Sequence, residues 1–174
     1  MANLMYALSV ETYVPVLQNL SDLLDKASAQ KGAEAELLVD AQLAPDMFPL
    51  ARQVQIACDQ AKSGVARLAG QEPPKFEDTE KTVAELKARI QKTLDFVATV
   101  PASAFQDAET RQIAFPLMEG MSFQGDGVRF LKDWSLPNFY FHVVTAYDIL
   151  RHKGVEIGKP DYLARSRDLI RQAA

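Results

Sequence analysis

The stretch 136-LPNFYFHVVTAYDILRHKG-154 decides how this chain is read. Phe139, Val143, Ala146 and Leu150 recur at intervals of three and four, the spacing of one helix face. Asn138, His142, Thr145 and Ile149 make a second, adjacent row in the same spacing. Pro137 has no N–H to donate and crowds the carbonyl four residues back. The groups near Asp133 and Trp134 must then find other partners, so a bend or bulge is expected there, and such bulges frequently sit at functional sites. A helix long enough to run through that break and stop at Gly154 needs other helices to cover it.

Those helices are visible upstream. About Ser9 to Lys31, the row Leu17, Leu20, Leu23, Leu24 and Ala27 predicts a first helix, with Ser9 as N-cap, Pro15 in its first turns and Gly32 as stop. A short helical piece is expected over Glu34 to Ala41. A second helix follows with Asp46 as cap, Pro49 in its first turn and an apolar row from Met47 and Leu50 to Leu68, ending at Gly70. After Pro73-Pro74, Asp78 or Thr79 is expected to cap a third helix, with Glu80 in its first turn and Val83, Leu86, Ile90, Leu94 and Val97 inward. Between Gln106 and Gly127 the period changes. Ile113, Phe115 and Leu117 alternate with their neighbours, MEGM reads as a turn, and a short hairpin or extended excursion is expected. The fourth long helix then starts near Asp126. The expected fold is all-α, a four-helix bundle with one excursion before its last helix. Residues 1–163 form one domain, and 164–174 form a partly helical tail.

Composition narrows the functions. The chain has 174 residues, 48% apolar and 24% charged, with a net charge of −4. That length suits one domain and lets folding bury about 70% of the extended chain's surface. A basic footprint for nucleic acid is absent. No apolar run reaches the ~18–20 residues of a membrane helix, and the first residues lack a positively charged leader region, so cytoplasmic residence is expected. The single Cys58 permits neither an internal disulfide nor a multi-cysteine metal knuckle; it reads as a small buried apolar residue. The Gly120…Gly125 spacing imitates a phosphate loop, but Asp126-Gly127 stand where Lys and Ser/Thr are required.

Two histidines remain. His152 lies one turn after Asp148 in the last turn before Gly154, where a cation suits both the carboxylate and the helix dipole. His142 lies among aromatics one turn past the break. A neutral imidazole there serves as a metal ligand, as a proton shuttle or as a hydrogen-bonded core residue. Gln53 and Asp46, seven positions apart on nearly one face of the second helix, are its candidate polar partners. Asp59 reads as solvated.

The segments APDMFPLARQVQIACD, RLAG, PPKFEDTE and LPNFYFHVVTAYDILRHKGVEIGKPDYL resemble an uncharacterised bacterial family within the DinB/YfiT-like superfamily of metalloenzymes. The likeness runs from about Ala7 to Leu163, and LPNFYFH is its most specific part. It implies a four-helix bundle, commonly a homodimer, whose better-studied relatives are metal-dependent hydrolases or thiol transferases acting on small molecules. In those relatives three histidines hold a divalent metal, one on the second helix and an H-x-x-x-H pair on the last. Here His142 matches the second member of the pair, Asn138 replaces the first, and the second helix has no histidine. Neutral amides bind zinc or nickel weakly, so the set favours a harder divalent ion, or none.

Two functions are carried forward. In the first, a small molecule binds in a metal-free pocket with His142 as catalytic base or acceptor, Asn138, Gln53 and Asp46 as polar groups, and Trp134 on the wall. In the second, the protein is a non-catalytic homodimer whose NFYF aromatics and Ile113–Leu117 segment supply contact area.

Overall fold

A computed structural model describes residues 3–169. Four long helices carry the fold: α1 (Leu4–Lys31), α2 (Leu50–Leu68), α3 (Val83–Ala98) and α4 (Leu136–His152). A two-stranded antiparallel hairpin, β1 (Gln112–Pro116) and β2 (Ser122–Asp126), precedes α4, with Phe115 opposite Phe123. After α4 come a single turn, α5 (Lys159–Tyr162), and the 3₁₀ stretch Ala164–Leu169. Of the expected tail, residues 170–174 lie outside the described residues. Among the described residues no helix is long and apolar enough to cross a membrane.

One hydrophobic core joins the helices. α2 lies between α4 and α3, and α1 packs on all three. Leu17, Leu20 and Leu24 of α1, Leu50, Val54 and Val65 of α2, Leu86 and Ile90 of α3, and Phe139 and Ile149 of α4 are all buried there. Leu94 is only half-buried, and Thr93 takes the inward place beside it.

Four expected boundaries move, two of them because a better cap exists. α1 begins at Leu4, since Asn3 accepts a hydrogen bond from the Tyr6 amide; Ser9 is inside the helix, its Oγ donating to the Met5 carbonyl. Pro15 therefore lies within α1 rather than near its start. The piece after Gly32 is a 3₁₀ stretch, Gly32–Leu38. α2 starts behind Pro49 with no side-chain cap, so Asp46 caps nothing and is exposed in the preceding turn. α3 is capped by Thr82, which forms a reciprocal capping box with Glu85, and not by Asp78 or Thr79. Gly32, Gly70 and Gly154 end their helices as expected, each with positive φ.

The break before Pro137 is a π-helical stretch, Phe130–Ser135, continuous with the turn Gly127–Arg129 before it and α4 after it. The whole run starts near Asp126, as expected, and Asp126 caps its first turn by accepting from the Arg129 amide. Widening the turn there lets the chain reach Pro137 without the hydrogen bond that Pro137 cannot make. It also buries Ser135, whose Oγ lies 2.8 Å from the Tyr13 hydroxyl in the core.

Candidate functional site

Gln53 on α2 and His142 on α4 meet where these two helices pack. His142 Nδ1 lies 2.7 Å from Gln53 Oε1, and both residues are buried. The amide orientation follows from its other end: Gln53 Nε2 donates to the Phe48 carbonyl at 3.0 Å. Oε1 is therefore the acceptor, Nδ1 carries the proton, and Nε2 keeps its lone pair. The ring is 8% exposed and packs edge-on against Phe141, centroids 5.2 Å apart.

Burial, and next the guanidinium of Arg52, push the His142 pKa from 6.5 down to about 4. The imidazole is thus neutral near pH 7. Arg52 itself bonds to Asp78 and, at 3.3 Å, to Gln55 Oε1, while its guanidinium lies 5.9 Å from the Phe48 ring centroid. Nothing in the reading of the sequence pointed to Arg52; its place next to Gln53 was the available signal.

The other expected site residues separate. Asn138 stays on the His142 face, and its Nδ2 donates to the Trp134 carbonyl at 2.7 Å across the π-helical stretch. Trp134 packs its ring under the hairpin, against Phe115 and Phe123 with centroids 6.1 Å and 5.8 Å away. Its ring serves the hairpin, and its carbonyl is what touches the candidate site. Asp46 remains exposed in its turn. His152 is exposed at the end of α4, and among the described residues it forms no ion pair with Asp148. Cys58 is fully buried, its thiol pushed up to about 12 by burial, which keeps it unreactive.

A second polar centre went unanticipated. Arg89 on α3 is 3% exposed and bonds Asp78 Oδ1 at 2.8 Å, Asp59 Oδ1 at 3.1 Å and Glu80 Oε1 at 3.1 Å. Buried Lys62 reaches Asp59 at 2.8 Å and lies 4.2 Å from the Phe76 centroid. Asp59 is therefore paired, not simply solvated, and Glu80 belongs to this network rather than to the first turn of α3. An arginine inside the inward row of α3 was the legible sign.

A three-histidine metal does not fit here. Both ends of the Gln53 amide are engaged, Asn138 offers only a neutral amide oxygen, and Nε2 of His142 is the single imidazole donor. Among the described residues, no three His, Cys, Asp or Glu side chains gather as metal ligands.

The sequence of a domain-of-unknown-function family, DUF1993, matches residues 5–163. Among solved structures, a DinB family member protein from Shewanella denitrificans is 45% identical, with a TM-score of 0.83 over 91% of this chain and 90% of that chain. No curated protein matches. A match over nearly the whole helical core, joined to that structural likeness, places the chain: it belongs to the DUF1993 family, within the DinB-like superfamily.

Proposed function

We propose that this protein is a bacterial, cytoplasmic four-helix bundle that binds a small molecule beside His142 without a transition metal. The observation that carries the reading is the 2.7 Å link from His142 Nδ1 to Gln53 Oε1. It gives the imidazole an amide partner on the second helix, which fixes its tautomer. Nε2 is then a fixed acceptor, Asn138 Oδ1 is a second acceptor one turn earlier, and Arg52 supplies positive charge nearby. A general base works best with a pKa near the working pH. At about 4, His142 is a weak base, which favours holding a ligand's donor group over removing its proton. Metal-dependent hydrolysis or thiol transfer ranks below both, because one imidazole does not grip zinc or nickel.

Elemental analysis of protein purified without chelator or histidine tag, together with fragment binding to wild type and His142→Ala, tests the proposal. The expected result is no stoichiometric transition metal, and ligands lost in a variant that remains folded. Stoichiometric zinc or nickel overturns it, and unfolding of His142→Ala assigns the residue to the core. A second reading, homodimeric association, is supported by Phe141 and Phe48, 59% and 55% exposed near the same helix contact. Sedimentation showing a strict monomer removes that reading.

A further inference from the structure

On another face of the molecule, α1 and the C-terminal stretch from α5 onward, with Tyr140 of α4, line a cleft of about 350 Å³, at the small end of ligand-sized cavities. Its lining includes Glu11, Pro15, Asn19, Tyr140, Tyr162 and Arg165. Asn19 is 3% exposed, and its Nδ2 donates to the Tyr162 carbonyl at 2.8 Å. That bond fixes the amide, because a flipped side chain would set two oxygens against each other. Asn19 Oδ1 is left buried with no donor among the described residues. A buried acceptor without a partner costs about 1–3 kcal/mol and calls for an explanation.

The neighbouring groups share its character. Pro15 has no N–H for the carbonyl of Glu11, one turn earlier, so that carbonyl lacks its usual intrahelical donor. Glu11 adds an exposed carboxylate. Among the described residues, the cation in the lining is Arg165, which is held by Asp22 at 3.0 Å. Tyr140 and Tyr162 add aromatic walls of the kind that attract organic cations. Burial raises the pKa of both phenols, keeping them neutral.

We infer that this cleft binds a small primary amine as its ammonium ion, with Asn19 Oδ1 accepting its hydrogen bond, the Glu11 carboxylate supplying negative charge along the same cleft and Tyr140 and Tyr162 flanking its apolar body. The site is separate from His142 and stands or falls independently of it. Calorimetric titration of the full chain with benzylamine, 2-phenylethylamine and n-butylamine, each against the alcohol of the same skeleton, tests it. At least one amine should bind, its alcohol at least tenfold more weakly. Glu11→Gln, at an exposed position, should weaken that amine at least fivefold while the thermal transition stays unchanged. Asn19→Ala should weaken it too, even if it also loosens Tyr162. Binding by none of the three amines, equal affinity for amine and alcohol, or an affinity indifferent to Glu11→Gln overturns the inference.

Discussion

Gln53 governs what His142 can be. Its Nε2 bond to Phe48 commits Oε1 to the imidazole, so a proton on Nδ1 is imposed rather than chosen. Gln53→Glu puts a carboxylate against that nitrogen and favours the imidazolium. The His142 pKa should then rise from about 4 to above its usual 6.5, followed through the imidazole C–H signals in an NMR pH titration. A titration midpoint that stays near 4 would show that Gln53 does not control the ring. His142 and Gln53 were legible because each is a polar residue at an inward position of a regular helix. Trp134 was misplaced because it lies on the far side of the π-helical stretch, where the widened turn breaks the 3.6-residue phase linking it to His142. Asp46 was misplaced because α2 starts later than its caps suggest.

The elements show where pattern suffices and where packing decides. The hairpin was readable from alternation at Ile113 and Phe115, and the π-helical break from Pro137 alone. The helix starts were less so: Asp78, Thr79 and Thr82 all qualify as caps, and only the pairing of Glu80 with Arg89 removes the first two. Gly127 is a further case that no local pattern marks. At the turn from β2 into the last helix, a Cβ on it would lie 1.8 Å from the Ala108 carbonyl oxygen, a backbone atom that cannot swing aside. Gly120, at the hairpin tip, has open space around it but a φ of 75°. Gly120→Ala should cost about 1–2 kcal/mol, the penalty of a left-handed backbone. Gly127→Ala should cost about 1–3 kcal/mol or more, since the turn carrying Ala108 must shift away from the helix start. Urea unfolding of the two variants ranks them, and equal stability of Gly127→Ala and wild type would contradict the close approach.

At the scale of the whole molecule, two buried polar centres tie the helices together: the His142–Gln53 pairing was legible from polar residues at inward positions, whereas the partners of Arg89 were not, because no local pattern links it to Asp59, Asp78 and Glu80. Arg89 holds Asp59 of α2 and both Asp78 and Glu80 of the segment before α3. Arg89→Ala removes the partner they share, although Asp59 keeps Lys62 and Asp78 keeps Arg52, and should cost about 1–3 kcal/mol, whereas Arg89→Met, which keeps apolar bulk, should cost less. Matched denaturation curves for the two variants measure the difference. His142 couples the fold to pH in a definite sense. Its pKa is lowered in the folded chain, so between about 4 and 6.5 the unfolded chain binds a proton that the folded chain refuses. Stability from this group is complete above pH 6.5 and is lost as pH falls toward 4, by at most about 3 kcal/mol at about 1.4 kcal/mol per unit. Carboxylates titrate in the same range, so the measurement is a difference: guanidinium unfolding at pH 4.5 and pH 7 for wild type and for the paired replacement His142→Phe with Gln53→Leu, which leaves neither partner stranded. The double variant should lose less stability on acidification than wild type does. Identical losses would mean that the ring takes up its proton without disturbing the contact between α2 and α4.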